Sequence, residues 1–524
     1  MKKYLMMHKP RMVLNILWIL VTIGLQTITS VLLTFSTNAV FSRNIQQLLF
    51  WVSVNLLVWL TMLASNYFQA VFQEKLVQAI MVDVRDTISK KIAGQSYADF
   101  HQKNVGQYIS QYINDASNIE DKAFNNFFQL IADGTAVVFS IAALMAYHFA
   151  LPLVVILLAA AMLTLPSRLS RSMAQATSQL SQGNETLSNH LTNVLNGFDV
   201  LFNANKLGKL QALVHHSAQT YEHTRVDYTR TSERVGNSIG ALSVFCQMIV
   251  DVVTSILAIA GLIPLGAISS TGNIAATVFN ALSRLSNESV QIKATRPLFD
   301  KIAVQPTTAD QTVTKTEFDH DISVKDVSYS IDGTPILSHL NCHFQKGGKY
   351  AIVGKSGAGK STLLKILDGQ ITDYTGRVAI DGVDLRQLNH ATMTGIAQYI
   401  DQNVYLFNDS VANNVSLWTK NMRPQRLQQA LQAAAVDFVT TDQQMIDENG
   451  KNLSGGQKQR LALARFFYQP KPIVFLDEGT SALDAATAAQ VTERFLNDSE
   501  ITLIEVSHRL TEQMRKQYDQ VIML

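Results

Sequence analysis

Gly354-Lys355-Ser356-Gly357-Ala358-Gly359-Lys360-Ser361-Thr362 is the stretch that decides the fold. The short apolar run Tyr350-Ala351-Ile352-Val353 precedes it and reads as a buried strand. Leu363-Leu364-Lys365-Ile366-Leu367 follows and reads as the first turns of a helix. Strand, glycine-rich turn and helix is the context in which G-x-x-x-x-G-K-[ST] binds phosphates. The glycines let backbone N–H groups turn inward, and the helix N-terminus adds partial positive charge. Lys360 is placed to reach terminal phosphates, and the Ser361 hydroxyl to ligate Mg²⁺.

Two further motifs lie downstream. Pro472-Ile473-Val474-Phe475-Leu476-Asp477-Glu478 is an apolar strand ending in two carboxylates. Asp477 suits a Mg²⁺ anchor, and Glu478, one residue on, suits a general base that polarises water. Leu453-Ser454-Gly455-Gly456-Gln457 lies between the two. Its small residues allow close approach, and a helix opened there would present its N-terminus to an anion. In this order the three motifs resemble those of the ABC ATPases. The resemblance implies that LSGGQ faces the γ-phosphate of ATP held by a partner subunit, so Ser454, Gly455, Gly456 and Gln457 join the nucleotide-binding set.

The same resemblance extends to neighbouring segments. Gln402 in Tyr399-Ile400-Asp401-Gln402 matches the family's Q-loop glutamine, which reaches Mg²⁺ or the attacking water. Glu448-Asn449-Gly450 resembles the exporter X-loop, and Ser481-Ala482-Leu483-Asp484 the D-loop that crosses the dimer interface. His508 in Ile504-Glu505-Val506-Ser507-His508-Arg509 matches the switch histidine, which donates to the γ-phosphate. Family members place an aromatic against adenine at the position that here is Ile331. Tyr329 lies two residues earlier, on the same face of a strand, so both are candidates for the base contact.

Composition divides the chain. Of 524 residues, 47% are hydrophobic and 16% charged, but the long apolar runs all lie before about residue 295. They read as about six spans near the ~20 residues a bilayer demands, at 12–35, 48–71, 127–147, 151–166, 239–262 and 274–290. The expected fold class is an all-α six-helix transmembrane domain followed by a P-loop α/β ATPase domain. The expected boundaries are 1–302 for the membrane domain, 303–320 for a linker and 321–524 for the nucleotide-binding domain. The sequence runs to the strand-like Val521-Ile522-Met523-Leu524, short of the further hairpin and helices that the resemblance would lead one to expect. The net charge of +2 and the lack of a basic tract give no sign of nucleic acid. Cys246 and Cys342, the two cysteines, form neither a ligand cluster nor a disulfide framework. The first apolar stretch is too long for a cleavable signal and lacks its small-residue site.

Lys2, Lys3, Lys9 and Arg11 precede the first span, and Lys and Arg crowd 73–123 and 168–234. The opposite loops hold only Arg43. By the positive-inside rule both termini, both long loops and the ATPase domain are cytoplasmic, in a multi-pass protein of the plasma membrane. The spacing is similar to the type IV ABC exporter fold, and this implies short coupling helices near 96–103 and 197–204. The sixth span is interrupted by Asn280, Arg284, Asn287 and Glu288. It either lines a cavity or runs on into the cytosol, and the cost of intramembrane charge favours the second for Arg284 and Glu288. Asp133 and Asp251 lie in apolar surroundings. Asp251 is a candidate contact for a cationic substrate or a proton, with an inter-helix or dimer contact as the alternative. Asp251→Asn then changes substrate choice and spares ATP hydrolysis.

One phosphate loop and one signature per chain imply a dimer, homo- or heteromeric, with a second ABC half-transporter in the bilayer. The leading expectation is ATP-driven export of a drug, lipid or peptide, with ATP and Mg²⁺. The other is a transport-silent membrane ATPase acting as a sensor or regulatory subunit. Uptake into inverted vesicles separates them. An importer is disfavoured by the fusion, and leader-cleaving peptide export by the lack of an N-terminal peptidase.

Overall fold

The computed structural model describes residues 1–303, 313–315, 317–507 and 512–524. The chain divides into two compact units, one of 1–93 with 104–305 and one of 94–103 with 306–524.

The first unit is helical. Its long helices are α1 Lys9–Phe41 and α2 Ile45–Ala93, then, after the short α3 Tyr97–His101, α4 Asn126–Tyr147 and α5 Ala150–Asn196. After the short α6 Phe198–Asn203 come α7 Leu207–Ile259 and α8 Ala267–Ala294. Among the described residues, Lys9–Phe41, Ile45–Ala93, Val105–Tyr147 and Leu207–Ile259 are long and apolar enough to cross a membrane, and α5 carries the shorter apolar run Ala150–Ala160. The polar side chains Asn273, Thr277, Asn280 and Arg284 interrupt the hydropathy of α8. The sixth span is longer than its apolar stretch predicts, because neither Gly nor Pro breaks the helix between Asn273 and Ala294. α2, α5 and α7 run well past bilayer length at 49, 47 and 53 residues. The run Val105–Tyr147 contains π-helical turns at Gln111–Asp115 and Glu120–Asn125.

Side chains separated in sequence meet between these helices. Asp133 on α4, which is buried, accepts from Arg284 on α8 through both oxygens, Nε to Oδ2 at 2.9 Å and NH2 to Oδ1 at 2.5 Å. A bidentate pair removes the cost of leaving either charge alone in an apolar bundle. Asp251 on α7 lies against Gly272 on α8, where a Cβ would come within 2.7 Å of its Oδ1. That buried oxygen has no hydrogen-bond partner.

The second unit holds two sheets. β1 Asp321–Ile331, β2 Thr334–Gln345, β4 Thr375–Ile380 and β5 Val383–Asp384 form an antiparallel sheet in the order β2-β1-β4-β5. β3 Lys349–Val353, β6 Ala397–Ile400, β7 Ile473–Asp477, β8 Thr502–Val506 and β9 Gln520–Met523 form a parallel sheet in the order β6-β7-β8-β3-β9. β7 and β8 are buried at every position, as expected of central strands covered on both faces. Phe318, within the sequence-expected linker, is buried in the core between the sheets. α9 Lys360–Leu367, α10 Gly455–Tyr468 and α11 Ala485–Asn497 complete the parts that build the site.

Candidate active site

The segments carrying the site leave the carboxyl ends of strands of the one parallel sheet, where open α/β sheets bind ligands. The phosphate loop follows β3, Gln402 follows β6 and Asp477 ends β7. Gly359 caps α9 at φ +86°, a left-handed conformation, and a Cβ there would lie 2.8 Å from Leu337 Cδ2. Glycine is therefore required by the turn and by the strand packed on it. A Cβ on Gly354 would strike the Leu524 carbonyl, so Leu524 packs against one side of the loop. Lys355, Ser356 and Gly357 are exposed and Ala358 and Thr362 half-buried.

Lys360 is buried, and its ammonium donates to the Gly354 and Lys355 carbonyls at 3.1 and 3.0 Å. That pose holds the charge inside the loop. Ser361 Oγ donates to Asp477 Oδ1 at 3.1 Å, and the Tyr399 hydroxyl donates to Asp477 Oδ2 at 2.8 Å. Burial, and then the Asp477 charge, raise the Tyr399 hydroxyl above its ordinary value, so it stays a neutral donor. A hydroxyl and a carboxylate this close fit one hard divalent cation. Gln402 Nε2 donates to Glu478 Oε2 at 2.8 Å. Glu478 sits at φ +51°, strained for a residue with a Cβ. Gln459 of α10 fixes that turn, with Nε2 on the Glu478 carbonyl and Oε1 accepting from the Ala482 amide, both at 2.9 Å.

Ser454 caps α10 in a closed capping box with Gln457. Ser454 and Gly455 are exposed, and a Cβ on Gly456 would lie 2.9 Å from the Ala482 carbonyl. Asp484 caps α11 by accepting from the Thr487 amide at 3.0 Å, which lowers its pKa. Ile331, at the end of β1, is 49% exposed, whereas Tyr329 packs against the core. The exposed apolar surface at this point is therefore aliphatic. His508 lies outside the described residues.

The structure thus joins Lys360, Ser361, Asp477, Glu478 and Gln402 in one crevice of the second unit, and leaves the Ser454 turn facing outward. Tyr399 and Gln459 were not singled out from sequence. The signal for Tyr399 was a strand-borne hydroxyl three residues before Gln402.

The sequence model described as the ABC transporter transmembrane region matches residues 10–282, more than half of the chain. The model described as ABC transporter matches 337–481. The chain belongs to the ABC transporter family. It is a half-transporter of the type IV exporter kind, an ATP hydrolase coupled to transport, with the membrane and ATPase regions fused. It is 24% identical over 532 residues to a protein of Syntrophus aciditrophicus named ATP-dependent lipid A-core flippase, covering 96% of this chain and 86% of that one. A protein of the same name from Mannheimia succiniciproducens is 25% identical over 460 residues, covering 82% and 76%. The structure titled as a bacterial Atm1-family ABC exporter with ATP bound superposes with a TM-score of 0.83 at 17% identity, covering 98% of this transporter and 94% of that chain.

The short α3 belongs to the same compact unit as the ATPase sheets. Burial, and then the negative charges of Asp401 and Asp368, raise the Tyr97 hydroxyl on it. The second expected coupling helix is α6, in the helical unit. Phe198, Val200 and Phe202 on it are all exposed.

Proposed function

We propose that the transporter works as a dimer of half-transporters that exports its substrate when ATP closes the two ATPase units. The supporting observation is the split in the site: Ser361–Asp477 and Gln402–Glu478 close one crevice at 3.1 and 2.8 Å, while Ser454 and Gly455 face outward. An exposed helix N-terminus is an anion site in want of a phosphate, and a second copy brings one.

The phosphate loop, from Gly354 to Thr362, binds the triphosphate, and Lys360 turns its ammonium from the loop carbonyls to the phosphates. Ser361 and Asp477 hold Mg²⁺, with Gln402 beside them. Bound there, Mg²⁺ neutralises charge on the terminal phosphates. Glu478 polarises the attacking water, and Gln402 orients the Glu478 carboxylate and reports the state of the crevice to α3. His508 and Asp484 complete the site, and Ile331 rather than Tyr329 meets the base. The domains run 1–302, 303–320 and 321–524. The protein spans the plasma membrane several times with its termini and ATPase unit in the cytosol, and it binds no nucleic acid. The partner is a second copy or a related half-transporter.

The test is Glu478→Gln. The variant binds ATP, loses at least about a hundredfold in turnover and accumulates a closed dimer. Hydrolysis at the wild-type rate would remove Glu478 from this role. ATP-dependent accumulation of cargo in inverted vesicles tests the direction.

A further inference from the structure

Two carboxyl groups share one guanidinium where α4 meets α8. Asp133 is 3% exposed and Glu288 4%, whereas the Arg284 side chain is 52% exposed. Both Asp133 oxygens accept from Arg284, and Gln129 Nε2 donates to Oδ2 at 3.4 Å. Glu288 comes within hydrogen-bonding range of Asp133. Its Oε2 is buried and has no partner. Among the described residues, Asp133 and Arg284 are the charged groups that act on it. Glu120, in the π-helical turn before α4, accepts from Gln78 Nε2 instead, at 2.6 Å.

Two carboxylates do not approach this closely with both ionised. One proton between them removes the repulsion and leaves one negative charge for one guanidinium. Asp133 keeps its charge, because Arg284 holds both of its oxygens. The proton therefore sits on Glu288, whose O–H donates to Asp133. The lone buried Oε2 agrees, since an unpaired oxygen costs far less on a neutral carboxyl than on a carboxylate. Glu288 lies roughly 32 Å from the Ala267 end of α8 at 1.5 Å per residue, close to the inner edge of a ~30 Å hydrocarbon layer. Water reaches that edge, so the proton is exchangeable.

Both helices at this contact are linked to the segment that leads to the ATPase sheets. α8 continues through the short helix Arg296–Ile302 into the linker. Lys301 on that short helix donates to Asp115 Oδ2 at 2.5 Å, within the π-helical turn Gln111–Asp115 of the run that carries Asp133. The second π-helical turn, Glu120–Asn125, ends directly before α4. Such turns are rare and occur frequently at functional sites. A pull on the linker thus reaches both sides of the proton.

We propose that Glu288 and Asp133 bind one exchangeable proton, held while α4 and α8 stay joined and released when ATP closes the dimer and parts them. On release the Glu288 O–H bond breaks, its electron pair stays on the carboxylate and the proton passes to water. This rests on the dimer reading above and adds a proton to its cycle. Proton binding favours the joined state, so acid opposes closure and rising pH assists it.

The experiment uses the full-length Glu478→Gln transporter in nanodiscs, because that variant closes on ATP without the protons that hydrolysis itself produces. ATP with Mg²⁺ is added in weak buffer with a pH-indicator dye, and closure is read separately by crosslinking the two ATPase units. Closure releases up to about one proton per chain near neutral pH, and the ATP concentration for half closure falls as pH rises. Adding Glu288→Gln keeps a donor to Asp133 and removes the ionisable group. That double variant closes with the release and the pH dependence both lost. Asp133→Asn serves if it does not fold, since Glu288 then ionises against Arg284 and has no proton to give. Equal release with and without Glu288→Gln overturns the proposal, as does closure of Glu478→Gln with no release. A Glu288 that only packs gives a lower denaturation midpoint in the double variant with the proton count unchanged, which also overturns it. Failure of the dimer reading looks different: ATP then leaves the two ATPase units apart at every pH.

Discussion

At the scale of single residues, the site depends on side chains that hold others in place. Tyr399 gives Asp477 its second donor, at 2.8 Å, from a strand that also pairs with β7. Tyr399→Phe frees that oxygen to rotate. Loss of such an outer partner typically costs about 10–100-fold in metal affinity or activity. The expected result is a rise of that order in the Mg²⁺ concentration for half-maximal hydrolysis, partly rescued by excess Mg²⁺. A change in kcat alone would assign Tyr399 to packing. Ile331 has a different consequence. An aliphatic side chain gives a base apolar area but no π-face, and base–aromatic stacking is worth about 1–3 kcal/mol. Wild-type transporter should therefore hydrolyse GTP with a KM within a fewfold of that for ATP. Ile331→Tyr should lower the ATP KM by about five- to a hundredfold on the same scale. An unchanged KM would place the base elsewhere.

At the scale of elements, β8 carries a buried carboxylate. Glu505 lies in the fully buried β8, between Ala351 and Leu476, and its Oε2 accepts from the Tyr518 hydroxyl at 2.7 Å. Burial raises its pKa from 4.5 to about 7, only partly offset by that hydrogen bond. The folded state thus holds this proton to higher pH than the unfolded chain does. Stability is fully present below the unfolded value, falls as pH rises from 4.5 to about 7, and stays lowered above that. Glu505→Gln keeps an acceptor for Tyr518 and removes the charge. It should raise the unfolding free energy of the ATPase unit near pH 8, by on the order of a few kcal/mol read from denaturant titration, and leave it little changed near pH 4.5. A pH-independent difference would contradict the assignment. The strand itself was legible in the sequence, since Ile504-Glu505-Val506 precedes a histidine at a motif position. The burial of its acid was not, because the partner that tolerates it, Tyr518, belongs to a later segment. The same contrast runs through the chain. The phosphate loop, the Asp477-Glu478 strand end and the α10 cap are local patterns, and sequence placed them. Arg284 with Asp133, 151 residues apart, and Tyr399 with Asp477, 78 apart, depend on helix and strand packing that no local period encodes. Sequence assigned Arg284 by its cost alone, and it lacked the buried carboxylate that offsets that cost.

At the scale of the whole molecule, the proposed dimer must account for surfaces that one chain leaves bare. α6 presents Phe198, Val200 and Phe202 at 44%, 71% and 60% exposure, at the tip of the hairpin made by α5 and α7. A cluster of large apolar side chains at the end of two long helices has little to stabilise it in water. α3, the other short helix, is gathered into the unit that contains the ATPase sheets. On the dimer reading proposed above, the bare face of α6 is the surface that the partner covers. Because the Val200 side chain packs little in its own chain, Val200→Asp should leave folding and ATP binding near normal. A buried, unpaired carboxylate at the contact costs several kcal/mol. The expected result is at least a tenfold loss of ATP-dependent uptake into inverted vesicles, with ATP binding unchanged and the closed dimer of Glu478→Gln no longer accumulating. Retention of that dimer in the double variant, with full transport in the single one, would leave α6 without a role in joining the halves. The nucleotide crevice would then have to report to the membrane through α3 alone.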